Sequence, residues 1–137
     1  MSSCSTEFLN GNITNIKYGT SFGECIGYCK HDLELKQVKV IYNCSGWVDS
    51  VQPVSKTENL SASAWDSIQS NLNVNTFFQL DEIIGCPDCA DGGSEWLEIK
   101  LANGESHKVV FEYFKEPDVI KSQIEKLRKM LSENSCN

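Results

Sequence analysis

The sequence predicts an α+β domain in which an antiparallel sheet of four to five strands carries two helices on one face, in the order β-β-β-α-β-β-α. Apolar residues alternate with polar ones across residues 32–42, with one change of phase, and across residues 95–101, which is the period of strands with one buried face. Two other segments space their apolar residues as helices do. The strand–helix–strand alternation typical of a parallel sheet is missing. We expect one domain at residues 13–133 after a flexible tail at residues 1–12.

The first half of the domain is predicted to hold three strands. Residues 13–18 form the first, although the alternation there is imperfect. A Gly-rich loop follows at residues 19–27. In residues 32–42 the apolar positions change phase at Gln37, which indicates a β-bulge or a turn. After a turn signal at residues 43–46, a third strand lies within residues 47–56, and Pro53 places it at an edge because proline donates no ladder hydrogen bond.

The first helix is predicted to begin at Ser61 or Ser63, either of which is a good N-cap. Trp65, Ile68 and Leu72 then follow at helical spacing, and the helix should end near residues 71–75. An apolar cluster fills the core next. Its members are Phe77, Phe78, Leu80, Ile83 and Ile84.

A hairpin and a final helix complete the domain. Residues 95–101 alternate, with Trp96 on the face opposite Leu97, and residues 108–114 form the return strand. Asn103-Gly104 between them is a strong hairpin signal. Pro117 suits the first turn of a helix, and one apolar stripe follows it. The stripe consists of Ile120, Ile124, Leu127 and Leu131.

Composition narrows the class of protein. The chain has 137 residues, a mass of 15.3 kDa and a net charge of −7. This acidic balance argues against a nucleic-acid binder. A hydrophobic content of 40% excludes a wholly disordered chain. No apolar run reaches the length of about 18 residues that a membrane span needs. We expect a protein or a small ligand as the partner.

The cysteines favour export. Ser2-Ser3-Cys4-Ser5 resembles the end of a bacterial lipobox, so Cys4 is a lipidation candidate and a lipid there would be the only membrane contact. The other six are an even set, typical of disulfides in an oxidising compartment such as the periplasm, cell envelope or extracellular space. They allow fifteen pairings, so the sequence does not choose among them. The disulfide candidates are Cys25, Cys29, Cys44, Cys86, Cys89 and Cys136.

Two alternatives use the same cysteines for chemistry. In a cytoplasmic protein, Cys25, Cys29, Cys86 and Cys89 would suit a zinc site, and His31 or His107 would be substitute ligands. Cys86 and Cys89 alone would suit a thiol oxidoreductase, although the following Ala-Asp-Gly-Gly does not start a helix promptly.

No catalytic arrangement emerges from the spacing of the residues, so we expect a binding or structural module more than an enzyme. Nothing in the spacing pairs either histidine with a cysteine or an acid, as nucleophilic catalysis would need. The two cysteine-bearing loops hold a candidate loop site. It consists of Phe22, Tyr28, Asp88 and Asp91.

The segment Phe22-Gly23-Glu24-Cys25-Ile26-Gly27-Tyr28, followed by a strand, resembles a family of uncharacterised bacterial exported proteins and lipoproteins. Members carry Phe-Gly-x-Cys-Pro-x-Tyr before a strand, then an Asp-bearing loop, a hairpin and a Pro-started final helix. Asp91, the hairpin at residues 95–114 and the helix after Pro117 follow that order, so the resemblance covers residues 13–132. Ile26 replaces the family proline, and Ser21 stands where a cysteine often precedes the phenylalanine. The resemblance implies export and the fold class, and no activity.

Overall fold

The computed structural model describes residues 13–23, 25–48, 50–89 and 92–134, and its fold is α+β as predicted. The predicted tail at residues 1–12 lies outside the described residues. Seven strands and three α-helices are described. The strands are β1 (Ile13–Ser21), β2 (Lys30–Lys36), β3 (Lys39–Ser45), β4 (Val54–Asn59), β5 (Ile83–Ile84), β6 (Ser94–Leu101) and β7 (Ser106–Glu112). The helices are α1 (Ala62–Gln69), α2 (Val74–Phe78) and α3 (Lys121–Glu133), and a 3-10 turn at Asp118–Ile120 leads into α3.

The strands form one sheet in the order β4-β3-β2-β1-β6-β7-β5. Every pair is antiparallel except β5 and β7, which are parallel. The prediction of four to five strands in a purely antiparallel sheet is therefore wrong. Residues 32–42 hold two strands, because the phase change at Gln37 is a tight turn with Lys36 opposite Lys39. β5 has two residues, which is too short to produce a visible period.

The predicted order of elements is wrong in its helices as well. Ser61 does cap α1, since its hydroxyl accepts a hydrogen bond from the Ala64 amide at 3.1 Å. However, α1 ends at Gln69, and the predicted apolar cluster contains a further helix. Asn73 caps this short α2 by accepting from the Thr76 amide at 3.0 Å. A helix of five residues spans little more than one turn, so it leaves no periodic pattern to read.

Several loop boundaries also differ from the prediction. β1 continues to Ser21 and β3 to Ser45, where the sequence suggested a loop and a turn. β4 begins only at Val54, although it is an edge strand as Pro53 implied. The β6–β7 hairpin is confirmed, although its return strand covers Ser106–Glu112 and not the predicted residues 108–114. The Gly104 amide donates a hydrogen bond to the Leu101 carbonyl at 3.0 Å, which closes the turn. The φ of Gly104 is +94°, as in the bulge where glycine is favoured.

The core lies between one face of the sheet and the helix layer. The central strands contribute the largest buried set, and the predicted α3 stripe is buried against it. Core residues include Ile16, Tyr18, Leu33, Leu35, Leu97, Ile99, Val109, Phe111, Trp65, Ile68, Phe77, Ile120, Ile124 and Leu127. Trp96 lies on the opposite face of the sheet, as the alternation of β6 predicted, and is partly buried. Within the described ranges, no helix has the length and apolarity required to cross a membrane.

Candidate functional site

Three loops leave the sheet at the same end. The register pairs Ser21 with Lys30, Lys30 with Ser45 and Ser21 with Ser94, so the strand ends at these residues lie side by side. The connections between β1 and β2, between β3 and β4, and between β5 and β6 therefore meet at one end of the sheet. We call the described residues of 22–29, 46–53 and 85–93 the loop surface.

Two disulfides lie within this surface, and each closes a short loop. Cys25 pairs with Cys29 across a Cα separation of 5.7 Å, and Cys86 pairs with Cys89 across 5.5 Å. The structure thus contains the local pairs, not a cross-link between the two loops. A disulfide on a short loop removes little chain entropy, so its main effect is to stiffen the loop.

The remaining cysteine predictions divide between described and undescribed positions. Cys44 is buried and is not a free thiol. Cys4, Cys136 and the proposed Cys44–Cys136 pair lie outside the described residues, as does Asp91 of the candidate loop site. No group of three or more histidine, cysteine or acidic side chains in the described part of the chain is arranged to hold a metal ion.

Phe22, Tyr28 and Asp88 all lie in the loop surface, and each one connects its own loop to another segment of the chain. The Asp88 carboxylate accepts a hydrogen bond from the Gly23 amide at 3.3 Å, which links the two disulfide loops. The Tyr28 hydroxyl donates to the Gln52 carbonyl at 3.2 Å. The Phe22 ring packs edge-on against Tyr113 with centroids 5.0 Å apart. These three side chains therefore position the loops.

The loop surface also exposes three large apolar residues that the sequence did not single out as site residues. Ile26 is fully exposed at the tip of its disulfide loop, and Trp47 and Val48 are 51% and 57% exposed beside it. Together they border a hollow of about 220 Å³. Among the described residues, its other lining residues are Cys25, Gly27, Ser50 and Val51. A loop has no hydrophobic period, so only the tertiary structure shows that these residues are neighbours.

Trp47 is held in a fixed orientation at the rim of the hollow. Its indole N–H donates to the Phe22 carbonyl at 2.7 Å, so the polar edge of the ring is satisfied internally. The Lys30 ammonium lies 4.4 Å from the ring centroid, within cation–π range. The Cys29 amide donates to the Ser45 carbonyl at 3.0 Å and fastens the disulfide loop to the end of β3. The apolar groups are thus presented by an ordered framework.

A second candidate region is a buried polar cluster between the sheet and α3. Arg128 donates from Nε and Nη2 to the two oxygens of Glu95, at 3.0 and 2.7 Å, and from Nη2 to Glu116 at 2.9 Å. Glu95 also accepts from the Phe114 amide at 2.9 Å and from the Tyr18 hydroxyl. Burial, with the neighbouring Glu95 carboxylate, raises the pKa of Tyr18, so this hydroxyl stays protonated.

The polar cluster borders a cleft of about 200 Å³ but has no spare acid or base at its centre. Glu95 is fully buried and accepts four hydrogen bonds, which occupies all of its lone-pair sites. His31 also borders the cleft, and burial lowers the pKa of its imidazole. The other lining residues are Tyr18, Thr20, Tyr113, Arg128, Leu131 and Ser132. The arrangement is that of a satisfied structural network.

The histidines take no part in the loop surface. The His107 ring is 2.8 Å from the Leu80 carbonyl oxygen and packs against Phe77 and Phe78, so its role is to join α2 to the sheet. The loop surface is therefore the region best suited to meet another molecule, since it exposes a cluster of apolar side chains on an ordered framework. Neither a scan against protein-family models nor a search of the curated proteins finds a match to this chain.

Proposed function

We propose that this protein is an exported, disulfide-stabilised binding module whose loop surface binds an apolar segment of a partner protein. One observation carries the proposal: Ile26, Trp47 and Val48 expose apolar side chains around one hollow. Apolar residues scattered singly over a surface need no explanation, whereas a contiguous exposed cluster marks an interaction site.

The framework beneath these residues supports binding. The Cys25–Cys29 disulfide and the hydrogen bond from Trp47 to Phe22 hold the exposed groups before any partner arrives. A preordered surface loses little conformational entropy on binding, so more of the contact energy appears as affinity. Tryptophan is also among the residues that contribute most strongly to interfaces.

The size of the hollow and the net charge of the chain indicate the partner's chemistry. The hollow of about 220 Å³ suits one large aliphatic or aromatic side chain, and a segment that inserts such a side chain would also cover Ile26. The chain has a net charge of −7, so basic residues flanking the inserted side chain would speed association. The proposed occupant is accordingly an extended segment with one large apolar residue beside lysine or arginine.

Selection from a random peptide display library on the oxidised protein tests the proposal. We expect enrichment of peptides with a large apolar residue next to a basic one. Ile26→Lys should weaken their binding by at least about tenfold, because it removes an apolar contact and places a positive charge where the basic residue of the peptide approaches. The matched control is Val38→Lys, since Val38 is 68% exposed in the β2–β3 turn at the opposite end of the sheet.

Two results would overturn this function. Selected peptides whose affinity is the same for the wild type, Ile26→Lys and Trp47→Ala would place binding elsewhere. Binding of phosphatidylcholine vesicles that depends on Ile26 would replace the protein partner with a membrane, because exposed Ile and Trp side chains also suit a lipid interface.

The proposed export rests on the paired cysteines and on the resemblance of residues 13–132 to the bacterial exported family. Lipidation at Cys4 and a Cys44–Cys136 disulfide belong to the same proposal. Protein isolated from its native host without reductant should show six fewer reactive thiols than the reduced form. Seven free thiols would overturn export.

One bound zinc ion whose removal unfolds the chain would instead favour the intracellular zinc-stabilised domain. Insulin reduction abolished by Cys86→Ser would favour the oxidoreductase.

A further inference from the structure

The outer edge of β4 is an open strand edge. β4 is the last strand of the sheet, and it pairs with β3 on one side only. All six of its residues are exposed, and no described residue pairs with its outer side. An open edge of this length presents unpaired backbone N–H and C=O groups that will bind another strand of suitable sequence.

The direction of each backbone group follows from one hydrogen bond. The Leu60 amide donates to the Val38 carbonyl at 2.9 Å, so residue 60 faces β3. Backbone groups alternate in direction along an antiparallel strand, which turns those of Lys56 and Glu58 towards β3 as well. Those of Ser55, Thr57 and Asn59 therefore point outwards and are available to a new strand.

The side chains along β4 are complementary to a reversed copy of the same strand. Residues 55–59 read Ser-Lys-Thr-Glu-Asn, with a basic and an acidic residue placed symmetrically about Thr57. We propose that β4 pairs antiparallel with β4 of a second copy of this chain, about a two-fold axis at Thr57. Lys56 of each copy then lies opposite Glu58 of the other, and Thr57 lies opposite Thr57.

This register is favourable for both the backbone and the side chains. The outward groups of Ser55, Thr57 and Asn59 form about six backbone hydrogen bonds with the second copy. Lys56 and Glu58 occupy the non-hydrogen-bonded positions, where opposed residues are closest, at Cα separations of about 4.5 Å. In the single chain the same two side chains already lie 3.4 Å apart, and both are nearly half exposed at this edge.

Charge and proline exclude the neighbouring registers. An axis moved to residue 56 sets Lys56 against Lys56, and an axis at residue 58 sets Glu58 against Glu58. Like charges directly opposite each other destabilise a strand pair. An axis at residue 55 brings Pro53 opposite Thr57, where proline has no N–H to donate. The axis at Thr57 therefore forms two ion pairs without these penalties. Lysine on an open edge ordinarily prevents association, but here it has an acidic partner.

Charge-reversal substitutions test the proposal directly, with the dissociation constant of the dimer measured by sedimentation equilibrium. We expect the wild type to dimerise reversibly with concentration. Lys56→Glu and Glu58→Lys should each raise the dissociation constant at least about tenfold, because two attractive pairs become two repulsive ones. The double variant Lys56→Glu/Glu58→Lys should restore dimerisation, since the acidic side chain at position 56 of each copy again meets a basic one at position 58 of the other. Glu125→Lys, an exposed residue on α3, changes the net charge as Glu58→Lys does and should leave the dimer intact.

Two further measurements separate the edge from other contacts. Thr57→Pro removes an outward N–H that β3 does not use, so it should abolish dimerisation while the thermal unfolding of the monomer stays cooperative. Amide exchange should become slower with protein concentration at Ser55, Thr57 and Asn59, and stay unchanged at Lys56 and Glu58.

Three outcomes would overturn the proposal. A wild-type protein that remains monomeric at millimolar concentration has no such pairing. A dimer that tolerates both Lys56→Glu and Thr57→Pro uses another surface. A double charge exchange that fails to restore a dimer lost in the single variants excludes the axis at Thr57. None of these outcomes bears on peptide binding at the loop surface, which lies on other residues.

Discussion

The carboxylate of Glu95 and the guanidinium of Arg128 form a bidentate ion pair between β6 and α3. The Nε–Oε2 distance is 3.0 Å and the Nη2–Oε1 distance is 2.7 Å. Arg128 is the only arginine in the chain, and its planar fork matches a carboxylate as lysine does not. Because Glu95 is fully buried, the pair fixes α3 on the sheet at a site with little solvent to replace a lost partner.

Removal of Arg128 should destabilise the fold severely. We expect Arg128→Met to lower the free energy of unfolding by about 3–5 kcal/mol, because the Glu95 charge would stay buried without its partner. Arg128→Lys should recover only part of this loss, since an ammonium does not reproduce the two-point contact. Urea unfolding followed by circular dichroism measures both effects.

The double variant Glu95→Leu/Arg128→Met tests this explanation. Replacing both members of a buried pair by apolar residues costs less than removing one. We therefore expect the double variant to be more stable than Arg128→Met alone. The control is Lys129→Met, at an exposed neighbour on α3. A surface substitution of this kind should change stability by no more than about 0.5 kcal/mol. A double variant less stable than Arg128→Met would show that the hydrogen bonds from Tyr18 and Phe114 to Glu95 outweigh the cost of the unpaired carboxylate.

This pair also shows how far the sequence predicts the structure. Glu95 lies in phase with Leu97 in an alternating strand, so the pattern alone places its carboxylate on the buried face. Arg128 follows Ile124 by one helical turn, beside the apolar stripe of α3. What the sequence does not show is that these two positions meet, since 33 residues separate them and only the packing of α3 on β6 brings them together.

Periodicity explains which elements were predicted and which were missed. The α3 stripe and the β6–β7 hairpin extend over many residues, and their predictions are confirmed. β5 and α2 are shorter than two periods of their own pattern, so no repeat identifies them. The exposed cluster around Ile26 arises because the end of β1, the start of β2 and the end of β3 lie side by side. No local pattern predicts this, since the order of strands in a sheet is a property of the tertiary fold.

Gly19 should not tolerate a side chain while Trp96 lies over it. The two residues are paired in β1 and β6, and a Cβ on Gly19 would lie 2.5 Å from Cζ2 of the indole. We expect Gly19→Ala to lower the free energy of unfolding by about 1–3 kcal/mol, because the indole must leave its place. The displaced ring would also lose the Lys108 ammonium, which is 4.3 Å from its centroid.

A double-mutant cycle isolates this contact. In a Trp96→Val background, Gly19→Ala should cost little, because no ring covers the glycine and alanine loses less backbone entropy on folding. Chemical denaturation of the wild type, the two single variants and the double variant gives the coupling free energy between the two positions. Additive effects of the two substitutions would contradict the role assigned to Gly19.

Acidification should destabilise the protein through His31. Burial lowers the pKa of His31 below its ordinary value of 6.5, and the nearby Asp32 charge offsets only part of this effect. The unfolded chain therefore binds a proton more readily than the folded one. The stabilisation is complete above about pH 6.5, falls as the pH decreases below that value, and levels off below the pKa of the folded state.

Unfolding free energies measured at intervals from about pH 7.5 to about pH 5 check this sign. His31→Gln should reduce the change in the free energy of unfolding over that pH interval. The part of the change that comes from other groups should stay. Burial raises the pKa of Asp32, so protonation of Asp32 favours the folded state and acts in the opposite direction at lower pH. An unchanged slope in His31→Gln would assign the dependence to other groups.

Loss of the Cys25–Cys29 disulfide should weaken binding more than it weakens the fold. The loop it closes is very short, so the chain-entropy cost of losing it is about 2 kcal/mol at most. Without the bond, the Ile26 loop gains conformations that it must give up on binding. We expect Cys25→Ser/Cys29→Ser to unfold cooperatively with a modest loss of stability, yet to bind the selected peptides at least about fivefold more weakly.

The other disulfide loop provides the matched control for this prediction. Cys86→Ser/Cys89→Ser opens a similarly short loop that does not line the hollow. Its peptide affinity should therefore stay within about twofold of the wild type, because the groups that contact the peptide keep their support. Equal losses of affinity in the two variants would show that the disulfides act on the whole surface rather than on the Ile26 loop.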